Sequence, residues 1–288
     1  MTGRAVWRCL LAGAVMAAVA TPARADRGGG QKQHTDFDRR NFTRPVAIDN
    51  RWLPLVPGMQ FVLEGRLKVE GGEIPHRVVF TVTDLTKVVD GVRALVIWDR
   101  DFNYDELQEE ELAFVAQDDD GTVWNLGEYP EEYEDGVFLG APSTWLSGRA
   151  RARAGIAMQA DPRVGSPHYL QGFAPEIDFQ DNARVDKAHQ KACVPAGCFA
   201  DVLVVDEWNP LDQPDDGHQF KFHAPGVGVV RIDSEGGDVQ EQLTLRRLRH
   251  LSPQELARAR RRALDLDRRA YDVARDVYRG TPPAKPIT

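Results

Sequence analysis

The sequence predicts a mainly β protein: a curved antiparallel sheet or partial β-barrel followed by a long C-terminal α-helix. Three observations predict it. Apolar residues alternate with a period of two along many short segments. Asp-Gly and similar turn residues separate those segments. After residue 251 the alternation gives way to apolar residues spaced by three and four.

Residues 1–25 read as a secretory signal. Arg4 and Arg8 precede an apolar stretch, residues 10–20, that is too short to span a bilayer. Ala23 and Ala25 supply the small residues that signal peptidase requires, which places the cut before Asp26. Cys9 precedes the apolar stretch, the wrong side for lipid attachment, and no later stretch is apolar enough for a membrane helix. The expected location is therefore extracytoplasmic, secreted or periplasmic. Residues 26–49 read as a flexible segment, 50–251 as the β-rich domain, 252–280 as one amphipathic helix and 281–288 as a tail.

Within the β-rich region, residues 60–67 put Phe61, Leu63 and Leu67 on one face, and residues 77–84 alternate again. Asp90-Gly91 joins the strand candidates 85–89 and 93–98 as a hairpin. Residues 109–117 place Leu112, Phe114 and Ala116 together, and residues 118–121 turn the chain into 122–128. Residues 130–148 read as a long connection with room for one short strand. Further strands are expected at 149–159, 168–173, 184–191, 199–208, 218–223, 228–233 and 240–249. The helix opens on a capping box, Ser252-Pro253-Gln254-Glu255, and stops at Gly280 before Pro282 and Pro283. Its apolar stripe is Leu256, Ala259, Ala263, Leu266, Ala270, Val273 and Val277. That stripe suits packing on the sheet first, with the seam of a homodimer as the alternative.

The formal charge is −8, and removing the signal's three arginines and no acid moves it to −11. Nucleic acid and anionic membrane surfaces are disfavoured as partners. The mature chain keeps two cysteines, Cys193 and Cys198, flanking Val-Pro-Ala-Gly. A close pair in an oxidising compartment points to a disulfide across a hairpin.

Three phrases carry a resemblance: residues 49–58 (DNRWLPLVPG) with 61–65 (FVLEG), residues 116–128 (AQDDDGTVWNLGE), and residues 224–228 (APGVG). Over roughly residues 50–251 the chain resembles a group of uncharacterised secreted bacterial proteins. In strand pattern it is more remotely similar to half-barrel lipoprotein carriers of the LolA/LolB type. The resemblance implies an exported β fold and names no activity. Residues 194–199 (VPAGCF) also look like a phrase of exported or lipid-anchored β proteins; the cysteines flanking Val-Pro-Ala-Gly depart from it and suggest a local staple.

No nucleophile elbow, zinc-protease, phosphate-loop or dinucleotide motif occurs. Asp99, Asp101, Asn103 and Glu110 echo the spacing of a calcium loop, but Tyr104 stands where the motif needs glycine, so a solvated hairpin tip is the expectation. His218 and His223 could hold zinc on a hairpin, yet a separation of five sends them to opposite faces of a regular strand. No cofactor is expected. Glu128, Glu131, Glu132, Glu134 and Asp135 around Tyr129 and Tyr133 could supply a carboxylate pair for a secreted hydrolase. Candidate ligand contacts are Trp98, Trp124, Tyr129, Trp208, Lys221 and His223. The expectation that follows is a noncatalytic binding or carrier domain holding a hydrophobic small molecule, lipid or amphipathic ligand, with the cavity between the concave sheet face and the helix. The alternatives are the hydrolase and an envelope interaction module that dimerises through its helix.

Overall fold

The computed structural model describes residues 31–211 and 217–287, so the signal and its cut fall outside the described residues. The strands are β1 (Met59–Val69), β2 (Gly72–Val89), β3 (Val92–Asn103), β4 (Glu106–Gln117), β5 (Val123–Glu134), β6 (Val137–Gly140), β7 (Trp145–Leu146), β8 (Arg153–Met158), β9 (Tyr169–Ala174), β10 (Phe179–Val194), β11 (Gly197–Trp208), β12 (His218–Ala224), β13 (Gly228–Glu235) and β14 (Gln240–His250). Helices α1 (Pro253–Val273) and α2 (Arg275–Tyr278) follow, then β15 (Lys285–Pro286).

The sheet closes. Strand β1 pairs antiparallel with both β14 and β2, which completes a barrel of 12 strands. Register shifts in β1, between β2 and β3, and between β12 and β13 give the local bends that a closed sheet needs. Asp90 and Gly91 both adopt positive φ, 50° and 79°, as the tight hairpin between β2 and β3 requires.

The turns after β2, β4, β10 and β12 lie at one end of the barrel. A strap, residues 44–57, crosses that end. Asn50 Nδ2 donates to Gly121 O and Gln159 O, Gly226 N donates to Arg51 O, and Gln117 N donates to Pro45 O. Ile48, Leu53 and Leu55 of the strap are buried. Much of residues 49–58 thus forms a plug. Below it, the inward side chains Phe61, Leu63, Val78, Phe80 and Val82 fill the barrel and are fully buried. The segment expected to be loose is ordered from early on: Phe37 packs edge-on against Trp124, and Asn41 bonds Asp120.

Helix α1 lies on the outer face of β2–β5, the convex side. Ala259, Ala263, Leu266 and Ala270 are buried there, so no space of the expected kind remains between helix and sheet. The small alanines let the helix approach closely, and four arginine or lysine ion pairs with acids fasten it: Lys87–Asp267, Arg260–Asp84, Arg262–Glu110 and Arg269–Glu131. The exposed side carries Arg258, Arg261, Arg268 and Asp272, with Val273 of the apolar stripe also exposed. The helix also ends earlier than expected. Ala274 leaves helical geometry after Val273, α2 adds one turn, and the supposed tail pairs with β2 at Thr86 and Leu85.

The region 130–148 is more regular than its composition suggests, because β5 runs on to Glu134 and β6 and β7 pair with it. Pro130 is tolerated in β5 because it faces Glu111 of β4 on one side only. Cys193 and Cys198 are bonded, opposite one another on the β10–β11 hairpin.

Candidate ligand chamber

Alternation along the strands sorts their side chains into an inward and an outward set. On β3, Asp99 and Asp101 turn inward; they lie opposite Glu111 and Glu109 of β4. Glu109 in turn lies opposite Glu132 of β5, and Ala113 opposite Glu128. Across the barrel, Glu207 of β11 faces Gln219 of β12, and Val205 faces Lys221. Glu241 of β14 bonds the His76 ring at 2.9 Å and accepts from Gln219 Nε2 at 2.8 Å. The interior is therefore apolar under the strap and acidic toward the far end.

Burial makes these carboxyls hard to ionise. It raises the pKa of Asp101 and Glu109 well above the ordinary range, and the nearby charge of Asp99 adds to it. Burial does the same to Glu111, helped by Glu128. Glu111 has no exposed surface, and neither of its oxygens has a hydrogen-bond partner. Glu128 is also raised by burial, although Asn125 and Trp145 donate to it at 2.6 and 2.9 Å. Two basic side chains face them. Lys221 pairs with Glu207 at 2.5 Å. Burial opposes a charge on His76, and the bond to Glu241 outweighs it, so the ring's pKa is raised. His223 behaves oppositely: burial lowers its pKa to about 3, and neutral Nδ1 donates to Trp52 O in the strap at 3.1 Å.

Several inward polar side chains keep solvent exposure, namely Glu128, Gln171 and Asp181, so solvent reaches the acidic half. Tyr169 is 2% exposed and its hydroxyl has no hydrogen-bond partner; Gln219 Oε1 is likewise buried without one. Gln171 Nε2 donates to Glu207 at 2.9 Å. Polar side chains at alternate positions can hold a small polar group by directed hydrogen bonds and charge.

Of the six candidate contacts, Lys221 and His223 point into the barrel. Trp98 lies on the outer face, its Nε1 donating to Glu110 at 2.9 Å. Tyr129 lies under the helix, its hydroxyl on Glu131 at 2.6 Å and its ring against Tyr278. Trp124 is buried and donates to Asp118. Trp208 stacks on His218 outside, where His218 bonds Asp206. The calcium-like set is not assembled. Asp99 and Asp101 are buried in a strand, not at a solvated tip, and Glu110 faces outward to Arg262. His218 and His223 point to opposite faces, and His223 is buried rather than at the surface. Among the described residues no three His, Cys, Asp or Glu converge as a metal ion would need. Tyr169, Gln171, Asp181, Glu207, Gln219 and Glu241 carried no motif. One signal was available: acids at alternate positions, Asp99 with Asp101 and Glu109 with Glu111, mark a shared strand face.

No protein-family model and no curated protein matches the chain. Three solved structures are similar to it. One, from Bacteroides fragilis, is described as exported with a YmcC-like fold; identity is 13%, covering 68% of this chain and 97% of that one, at a TM-score of 0.36. A second, from Parabacteroides distasonis, is described as a lipoprotein; the values are 11%, 69%, 99% and 0.37. A third, from Brucella abortus, is a β-barrel-like protein of the domain of unknown function DUF1849; the values are 13%, 69%, 99% and 0.33. No described helix is long and apolar enough to cross a membrane.

Proposed function

We propose that this protein is a noncatalytic extracytoplasmic binding domain that takes a small polar or amphipathic ligand into the far half of its barrel. One observation carries the reading. The strap end is plugged and filled, whereas inward Glu128, Gln171 and Asp181 at the other end keep solvent exposure. The signal-like start and the Cys193–Cys198 bond support an oxidising location. A wholly apolar ligand finds little to bind, since the apolar interior is filled by side chains.

The hydrolase reading draws support from facing carboxyls with raised pKa values. Against it, Glu111 has no exposed atom surface, and a general acid must reach its substrate. The test is native mass spectrometry of protein purified from its own host, beside a Gln171→Ala variant. Gln171 is inward, keeps solvent exposure and donates to Glu207 at 2.9 Å, so the variant removes a polar contact of the far half. A copurifying small molecule that Gln171→Ala loses is the expected result. A consistently ligand-free protein would overturn the proposal.

A further inference from the structure

We infer that a second site lies outside the barrel, at its strap end, and takes an apolar small molecule with an anionic head, a carboxylate or phosphate, between Arg44 and Arg93. It goes beyond the binding reading above and does not depend on it.

The site is an open cavity of about 590 Å³ between two pieces of chain. One wall comes from residues 39–47, which lead into the strap. The other comes from residues 88–93, the end of β2 and the start of β3. Small-molecule sites typically enclose about 300–1,000 Å³, so the space suits such a ligand.

Both walls are held by bonds of the protein itself. Arg39 Nε donates to Asp90 O at 2.6 Å and so ties the first wall to the β2–β3 turn. Thr43 N and Oγ1 donate to Asp119 Oδ1 at 3.0 and 2.6 Å. Gln117 N donates to Pro45 O at 2.8 Å, and Ala47 N to Arg44 O at 3.0 Å. A ligand therefore enters a space already formed, which spares the cost of ordering these segments.

The lining has an apolar part and a basic part. Phe42, Val46 and Val88 are half-buried, and Val92 is buried beside them. Half-buried apolar side chains in a concavity gain from further covering. Val88 lies opposite Arg93 in the hairpin, so the stem of that arginine starts beside the apolar floor.

Charge selects the head group. Three arginines and no acid line the cavity, in a protein whose formal charge is −8. The acids that touch its walls are engaged: Asp90 pairs with Arg39 and accepts from Ser147 Oγ at 2.9 Å, and Asp119 accepts from Thr43. Arg44 and Arg93 are exposed, and among the described residues neither has an ion pair or a side-chain hydrogen bond. Their planar N–H forks match a carboxylate or phosphate in shape and charge. A cationic head would meet like charge, and a neutral one would leave both guanidinium groups unanswered.

Calorimetric titration with an eight-carbon series separates the possibilities. Octanoate and octyl phosphate carry the anionic heads, octanol is their neutral counterpart and octylamine their cationic one; acetate supplies the head without the apolar body. Octanoate or octyl phosphate is expected to bind at least tenfold more tightly than octanol or acetate, with octylamine not binding. The double variant Arg44→Gln with Arg93→Gln changes two exposed, unpaired side chains, so its melting temperature should match the parent's. It is expected to weaken binding of the anions at least tenfold and to leave octanol unaffected. Gln171→Ala, inside the barrel, should leave the anions' affinity unchanged. Octanol or acetate binding as tightly as octanoate overturns the inference, as does an unchanged affinity in the double variant. Loss of binding in Gln171→Ala would put the anion in the barrel and also overturns it. Failure of both anions to bind overturns it while leaving the binding reading intact.

Discussion

The wall formed by β3, β4 and β5 carries buried charge on both faces, and the two sets are built differently. Outside, under α1, each buried acid has a cation: Asp267 has Lys87, Glu110 has Arg262 and Glu131 has Arg269. Inside, burial pushes the pKa of Asp101, Glu109, Glu111 and Glu128 upward. Glu110 and Glu111 are adjacent in sequence and fall on opposite sides of this division. The outer set is what a packed interface demands, since an uncompensated buried charge is costly. Inside, neither oxygen of Glu111 has a hydrogen-bond partner, so its burial is met by holding the proton and not by an adjacent cation.

The outer set gives the largest expected effect. Lys87 and Asp267 are both buried, and Asp267 also accepts from Ala284 N. Asp267→Ala strands the ammonium and is expected to cost about 3–5 kcal/mol in urea denaturation. Replacing both partners together, Lys87→Met with Asp267→Leu, should recover most of that loss. A single variant as stable as the parent would erase the contrast between the two faces.

His223 gives an effect of similar size, confined to acid. Its pKa is about 3 when folded and 6.5 when unfolded, so the unfolded chain binds the proton first. Stability attributable to this ring is complete above pH 6.5 and is lost as pH falls from 6.5 toward 3. At roughly 1.4 kcal/mol per unit the full loss is about 5 kcal/mol. His223→Gln should flatten the acid limb of a melting curve recorded between pH 7 and 4. An unchanged limb would mean that the ring is protonated in place beneath the strap.

Removing the disulfide with Cys193→Ser and Cys198→Ser is expected to cost about 2 kcal/mol, because so short a loop restrains little of the unfolded chain. Thermal unfolding with and without reductant checks it. A loss beyond about 4 kcal/mol would show that the hairpin tip supports more of the barrel than itself.

Glu111→Gln is the subtlest test and reads the inner face directly. Burial raises the folded pKa of Glu111, so the folded state holds its proton longer than the unfolded one. That contribution declines as pH rises from the unfolded value through the folded one. The glutamine variant should match the parent near pH 4 and become relatively more stable as pH increases. A stability difference that ignores pH would show that Glu111 does not hold its proton through burial.

Much of the fold was legible because it is written locally. The Asp90-Gly91 turn, the Ser252–Glu255 capping box and the Cys193/Cys198 pair each depend on a few neighbouring residues, and each forms as read. The chamber was harder to see. Period-two alternation reports that a strand has two faces, but not which one turns inward. On β4 residues Leu112–Ala116 are all apolar, since one face fills the barrel and the other lies under α1. Trp98 and Tyr129 look like ligand contacts in the sequence, and the helix covers that outer face. Tyr169 and Glu207 become neighbours only through the register of three strands.

By itself, then, the sequence determined the strands, most turns, the disulfide and the helix start, because backbone preferences and short-range bonds decide them. Tertiary structure decided closure, the side on which the helix lies, and which carboxyls are paired. Those depend on contacts between residues more than a hundred positions apart, such as Lys87 with Asp267 and His76 with Glu241. Whether a buried acid is paired or left unbalanced depends on where the chain brings its cations, and no local pattern records that.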